Sequence, residues 1–287
     1  MKEDKYSYTA EGSAGMRALG TFEKDTTLKN RDYLANKLLG RRMRFLLKNG
    51  LIRKAALQYY GSRLPGLYEA HLSRSHHFDK TVKEELTGGA QQYVILGAGL
   101  DSRPYRFSDL IENCRVFEID HPATSKFKRD RLDQAGVERT HVTFLEVDFE
   151  KETAQQGLLA SGFDKSRRSV FTWEGVIMYL NEQAVSSMFE FVGTLPSQSS
   201  IVFDYFFEDV IIDPGRFPEA KKHLDYVEKR QEPYTFGINL DKTGEYVSRK
   251  GLELVSNYGP EEINSHYLAN HNRGVNAWYG MAHARVP

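Results

Sequence analysis

Gln91–Asp120 reads QQYVILGAGLDSRPYRFSDLIENCRVFEID, and the rest of the chain is interpreted outward from it. Tyr93-Val94-Ile95-Leu96 is a short apolar run, which periodicity alone allows as a buried strand or a piece of buried helix. Gly97-Ala98-Gly99 decides for the strand, because glycines there end regular structure and let a ligand approach the backbone. Pro104-Tyr105-Arg106-Phe107 opens a helical segment, and Arg115–Ile119 is a second strand ending in an acid, Asp120. Strand, Gly-x-Gly turn, helix and acid-ended strand make the first half of a nucleotide-binding βαβ unit. The acid lies about 20 residues past the first glycine, the separation that brings a carboxylate to a ribose diol. Asp120 is therefore expected on that diol, with Glu118 in reserve.

The turn also selects the ligand. A dinucleotide fingerprint places Gly or Ala three positions after its second glycine, so that a helix N-terminus closes on the pyrophosphate. Here that position is Ser102, preceded by Asp101. A carboxylate repels a pyrophosphate and attracts a cationic ligand. S-adenosylmethionine has a ribose, an adenine, a sulfonium and an ammonium but no phosphate, so the turn favours it over NAD.

The chain has 287 residues, 40% of them hydrophobic, enough for one large α/β domain with an elaborated cap or for two lobes. Lys+Arg and Asp+Glu are both 39, so net charge gives no reason to expect nucleic acid or an anionic membrane as partner. The single cysteine, Cys114, excludes an intramolecular disulfide and a multi-cysteine metal site, and its place before a strand reads as a structural thiol. The N-terminus MKEDKYSYTAEG has no apolar core for a signal peptide, and no apolar run reaches the roughly 18 residues of a membrane span. A cytoplasmic location is the expectation.

Residues 1–88 read as a helical N-terminal cap and residues 89–287 as the catalytic domain. Within the cap, GRRMRFLLKNGLIRK (40–54) is strongly basic and reads as a solvated helix face with Phe45, Leu46 and Leu47 turned inward. Tyr68–Leu86 reads as one helix with Leu72, Val82 and Leu86 toward the sheet. Its adjacent His76 and His77 point about 100° apart and cannot share a metal ion. Beyond Asp120 come a helix from Pro122 to Gln134, a strand at His141–Val147 ending in Asp148 and Phe149, and a strand at Ser169–Trp173 running into Glu174-Gly175. Asn181 caps the next helix, and Ser200–Phe206 is a fifth strand. The stretch at about 208–236 holds Pro214, Pro218, Pro233 and a charged helix from Phe217 to Gln231. It is too long for a simple connection and reads as an inserted lid. Helices at Thr243–Lys250 and Pro260–Leu268 and strands at Leu252–Ser256 and Ala277–Arg285 complete the chain.

QYVILGAGLDSRPYRF (92–107), VFEIDHP (116–122) and EGVIMYL (174–180) together resemble the leucine carboxyl methyltransferase family, in particular its bacterial-type branch of small-molecule and polyketide carboxyl O-methyltransferases. The resemblance implies a Rossmann-like seven-stranded methyltransferase sheet with an antiparallel last strand, and S-adenosylmethionine at the strands' C-terminal edges. Position by position, it implies that Arg74 binds the cofactor's carboxylate, as a guanidinium can through two parallel hydrogen bonds. It implies Gly97, Ala98 and Gly99 under the methionine portion, Asp120 on the ribose, Asp148 and Phe149 at the adenine, and Glu174 on the methionine side. Arg17 matches the family's N-terminal basic position.

Methyl transfer from a sulfonium needs chiefly alignment and exclusion of water. A carboxylate acceptor is ionised at neutral pH and needs no general base, which suits a sequence with no Ser-His-Asp set or paired catalytic carboxylates. The expected activity is methyl-ester formation on a small hydrophobic or polyketide-type acid. Tyr179 and Tyr205 are the acceptor contacts expected, and a phenolic acceptor would instead call on His76, His121 or Tyr179 as base. Modification of a protein C-terminus, an NAD-dependent oxidoreductase and a non-catalytic nucleoside-binding module are the alternatives. No metal is expected.

Overall fold

The structure, a computed structural model, describes residues 7–147, 153–229 and 232–287. Seven strands form one mixed sheet in the order β3-β2-β1-β4-β5-β7-β6. They are β1 (Gln92–Leu96), β2 (Arg115–Asp120), β3 (Val142–Glu146), β4 (Ser169–Trp173), β5 (Ser200–Phe206), β6 (Glu253–Tyr258) and β7 (Tyr279–Arg285). β1 pairs in parallel with β2 on one side and β4 on the other, and β7 runs antiparallel to both β5 and β6. The one reversed strand is thus the last in sequence, as expected. Strand order reverses between β1 and β4, the place where an open α/β sheet forms a crevice beyond its strand ends.

Each central strand is buried on both faces, so alternation sorts its residues between two cores. Tyr93, Ile95, Val116, Val170 and Val202 face one apolar cluster; Val94, Leu96, Phe117, Ile119, Phe171, Trp173, Ile201 and Phe203 face the other. The first cluster also takes Ala14 and Leu38 from α1 (Tyr8–Gly20) and α2 (Ala35–Leu38), and Phe78 and Val82 from α5 (Leu67–Thr87). α7 (Pro122–Gln134) and α13 (Pro260–Tyr267) pack on that side as well, through Leu132 and Ile263. The second is closed by α8 (Ala154–Ala160), α9 (Glu182–Gly193) and α12 (Thr243–Ser248). α9 begins where expected, with Asn181 Oδ1 accepting from the Ala184 N–H at 2.9 Å.

α5 runs as the apolar pattern predicts, burying Leu72, Val82 and Leu86 while Lys80, Lys83 and Glu84 face solvent. The basic stretch departs from expectation. It forms two helices, α3 (Arg41–Leu46) and α4 (Gly50–Arg63), and of the three residues expected to turn inward only Leu47 is buried, Phe45 being 74% exposed. A Gly50 start capped by Asn49 breaks the run that a single helix would need. The short α6 (Arg103–Arg106) follows the glycine turn, with Pro104 in its first turn.

The segment expected as a lid leaves the end of β5 through α10 (Glu208–Ile212) and α11 (Pro218–Glu228). It returns across the C-terminal ends of β4 and β5. The Thr235 N–H donates to the Met178 carbonyl at 2.7 Å, the Thr235 hydroxyl to the Leu180 carbonyl at 2.9 Å, and the Ile238 N–H to the Phe206 carbonyl at 3.0 Å.

Candidate active site

Above the β1/β4 crevice lies a cavity of about 550 Å³, within the usual range for small-molecule sites. Its floor is the Gly97-Ala98-Gly99 turn, its rim Asp120 and His121, and α1 lies over it. Gly97 and Gly99 have φ of +66° and +46°, and a Cβ on Gly97 would sit 2.4 Å from Val176 Cγ2. Only glycine can close this turn against the segment after β4.

The sequence-predicted residues Arg17, Arg74, Gly97, Ala98, Gly99, Asp120, Glu174 and Tyr179 all line this one cavity. Asp148 and Phe149, expected at the adenine, lie outside the described residues. Asp120 accepts from the backbone N–H of Gly99 and, at 2.6 Å, from that of His121. Burial raises its pKa against those two hydrogen bonds. Glu118, the reserve, is taken up elsewhere: Lys128 Nζ lies 2.7 Å from its Oε2 and the Tyr105 hydroxyl donates to Oε1 at 3.0 Å.

Arg74 and Glu174 meet at 2.9 Å. Arg74 also donates to Asp204 Oδ2 at 2.8 Å and to the Ser13 hydroxyl at 2.9 Å. The second oxygen of Glu174 faces Arg103 Nη1 at 2.7 Å, and Arg103 continues to Asp101 at 2.6 Å and Asp79 at 2.8 Å. Asp79 takes Arg106 in a two-pronged pair at 2.7 and 2.8 Å. Arg106 lies 3.5 Å from Asp32, which in turn accepts from Arg17 at 3.0 Å. Arg17 reaches back to the Leu100 carbonyl at 2.7 Å. Burial alone would raise the Glu174 pKa; Arg103, Arg74 and Arg17 override it and hold the carboxyl far below its usual range. The three guanidiniums thus favour the ionised form of Glu174.

Sequence reasoning missed Asp204, Arg103, Asp79 and Asp32, the buried partners that hold Arg74, Glu174, Arg106 and Arg17 in place. Strand alternation was the signal for Asp204. Val202, Asp204 and Phe206 point to the α5 side of the sheet, where Arg74 waits, whereas Ile201, Phe203 and Tyr205 point away. The same alternation corrects the expectation for Tyr205. That side chain is fully buried in the opposite core, its hydroxyl donating to Asn257 Oδ1 at 2.7 Å and accepting from Thr243 at 2.9 Å, and it does not line the cavity. Phe206, its neighbour, does.

Of the histidines considered as bases, His76 stands off the cavity, with Nε2 3.4 Å from the Leu28 carbonyl. His121 lines it, but its Nδ1 accepts from the Ala123 N–H and caps α7. Two others line it without having been expected: His71, whose Nδ1 is 2.8 Å from the Leu67 carbonyl, and His223 of α11. His223 Nε2 lies 2.9 Å from the Tyr234 hydroxyl. The side of the cavity formed by α11 and the chain after it is otherwise aromatic and aliphatic, with Phe206, Tyr226, Val227 and Tyr234, and carries one carboxylate, Glu232. Cys114 is remote, and burial pushes its thiol up to about 12. Among the described residues no His/Cys/Asp/Glu group is arranged for a metal, and no helix is long and apolar enough to cross a membrane.

The residues present fit a cationic nucleoside without phosphate. Four carboxylates border the cavity, those of Asp101, Asp120 and Glu174 beside the turn and that of Glu232 opposite. The two guanidiniums beside them, of Arg17 and Arg74, are already balanced by Asp32, Glu174 and Asp204. Sheet order, turn and charge together define the chain as an S-adenosylmethionine-dependent methyltransferase. A profile described as leucine carboxyl methyltransferase matches residues 10–193, and the chain belongs to that family.

Comparison with known proteins agrees. The chain is 32% identical over 212 residues to YktD of Bacillus subtilis (strain 168), named as a candidate S-adenosyl-L-methionine-dependent methyltransferase; the match covers 72% of this chain and 68% of that one. It is 37% identical over 131 residues to a candidate S-adenosyl-L-methionine-dependent methyltransferase of Mycobacteroides abscessus, covering 45% of this chain and 43% of that one. The crystal structure of a candidate methyltransferase from Thermobifida fusca YX superposes with a TM-score of 0.60 at 14% identity, over 99% of this chain and 96% of that chain, a likeness of fold.

Proposed function

We propose that the chain forms a methyl ester on the carboxylate of a small hydrophobic acid, with S-adenosylmethionine as methyl donor. The observation that carries this reading is the division of one cavity into two chemistries. Its turn side is bordered by carboxylates and braced arginines, and its other side chiefly by aromatic rings and phenol hydroxyls, with Glu232 the one carboxylate there. The cofactor, when bound, supplies a methyl group already activated on a sulfonium. Asp120 is the residue for its ribose, and Arg74, Arg17 and Glu174 are the residues for its amino-acid end. An ionised carboxylate has no proton to lose, so the remaining task of the protein is to hold and dehydrate the acceptor.

A phenolic acceptor is the second reading, favoured by the hydrogen bond between His223 and Tyr234. Burial lowers the His223 pKa to about 4, so its imidazole is neutral at pH 7, a hydrogen-bond partner for Tyr234 but a weak base for a phenol. Transfer of a radiolabelled methyl group to a panel of aromatic and aliphatic acids, matched phenols and C-terminal peptides separates the readings. A base-labile product on small acids supports the ester. A base-stable product on phenols alone, or labelling of peptides alone, would replace it.

A further inference from the structure

The lid contributes more to the cavity than cover. Tyr179 stands on the segment after β4, whereas His223 and Tyr234 come from α11 and the chain that follows it. Their rings nevertheless form one group. Tyr179 and Tyr234 are hydrogen bonded with ring centroids 5.0 Å apart, and His223 Nε2 is 2.9 Å from the Tyr234 hydroxyl. Phe206 backs both lid residues, its ring 4.8 Å from Tyr234 and 5.7 Å from His223.

The backbone beneath this group is fixed. Thr235 bonds through its N–H to Met178 and through its hydroxyl to Leu180, the residues on either side of Tyr179. The freedom that remains at Tyr234 is the direction of its hydroxyl, and His223 sets that. A pocket meant only for hydrocarbon would do better with phenylalanine and leucine at these positions, because each buried hydroxyl or imidazole costs desolvation unless a partner satisfies it. Tyr179, Tyr234 and His223 satisfy one another and also line the cavity beside Phe206 and Val227, so the network offers a polar surface to whatever the cavity holds.

We propose that Tyr179 and Tyr234 together hold the oxygen-bearing end of the methyl acceptor, and that His223 is a positioning residue that directs the Tyr234 hydroxyl toward it. The acceptor class is a hydrophobic molecule whose reacting end carries an oxygen able to accept from a phenol. This rests on the reading of the chain as an O-methyltransferase of small molecules and extends it to named residues on the lid.

The test compares wild type with Tyr234→Phe, His223→Leu and His223→Gln. Benzoate, cinnamate and naphthoate serve as acid probes, with the corresponding phenols. Cofactor Kd is measured calorimetrically without acceptor. Acceptor kcat and KM are then measured, with acceptor binding to the protein loaded with S-adenosylhomocysteine measured separately. Tyr234→Phe and His223→Leu should lower acceptor kcat/KM or affinity about tenfold, the loss of one hydrogen bond, with cofactor Kd unchanged within about twofold. His223→Gln, which keeps a polar atom near the Nε2 position, should recover most of it. Variants whose acceptor parameters match wild type would overturn the assignment, as would losses that appear equally in cofactor Kd. Acceptor binding that depends on Tyr234 and His223 without ester formation would leave the clamp standing and remove the ester reading. Absence of acceptor binding across the whole panel would remove the clamp.

Discussion

Arg103 Nη1 lies 2.7 Å from Glu174 Oε2, and the two residues belong to opposite walls of the crevice, one after β1 and the other after β4. Arg103 is 2% exposed and has Asp101 and Asp79 as its other partners. Its replacement by methionine would leave buried carboxylates uncompensated. Breaking a buried ion pair from one side costs about 3–5 kcal/mol. Arg103→Met should lose stability on that scale in urea unfolding, and cofactor affinity should fall as Glu174 loses its alignment. A change below about 1 kcal/mol would mean that water replaces the guanidinium freely.

Asp120 offers a direct probe of the nucleoside end. Asp120→Ala removes a charged hydrogen-bond acceptor and should weaken cofactor binding by about 1.5–3 kcal/mol, read by calorimetry. Asp120→Asn keeps one acceptor for the Gly99 or His121 N–H and should fall between the two. Equal affinity for Asp120→Ala and wild type would take the ribose contact away from this residue.

Tyr205→Phe separates core from site. The substitution leaves Asn257 and Thr243 without their buried partner, at a cost of about 1–3 kcal/mol in unfolding free energy. Acceptor KM should not move, because the side chain faces away from the cavity. A raised KM with unaltered stability would return Tyr205 to the acceptor wall.

The pH dependence of stability follows from four buried imidazoles. Burial lowers the pKa of His71 and His77 to about 3 and of His223 and His283 to about 4. An unfolded histidine titrates near about 6.5. Below that pH the unfolded chain takes up protons that the native state refuses, so this contribution is complete above about pH 6.5 and is lost as pH falls toward the folded values. Glu174 and Asp79, whose pKa values are depressed by their arginines, act with the same sign in the carboxylate range. Asp120, Asp204 and Glu118, raised by burial, act against it. Urea unfolding at pH 7.5, 6.5 and 5.5 should give a flat region, then a decline. A rise in stability between pH 6.5 and 5.5 would mean that the raised carboxylates outweigh the histidines.

Much of this fold is legible in the sequence because its central strands are buried on both faces and end at chemical landmarks. Val94-Ile95-Leu96 stops at Gly97, Arg115–Ile119 stops at Asp120, and Ser169–Trp173 stops at Glu174-Gly175. Such runs announce both the strand and the place where a ligand meets it. The charge relay beneath the cavity was not legible in the same way. Arg103 and Arg106 were visible in DSRPYR, but their partners Asp79 and Asp32 come from α5 and from the turn before α2, and only the folded chain brings them together. The prolines and charge of 208–236 mark it as more than a simple connection, while the meeting of His223 with Tyr234 and Tyr179 depends on how the returning chain registers on Met178–Leu180.

α1 is tied at both ends, by the Ser7 N–H to Thr124 at 3.2 Å and by Arg17 to the Leu100 carbonyl at 2.7 Å, and a Cβ at Gly99 would approach Ala10 to 3.3 Å. The first helix is therefore a wall of the cavity moored at both ends. Because Ala10, Ser13 and Arg17 of α1 line the cavity, a substitution that loosened either mooring would reshape that wall as well as the helix.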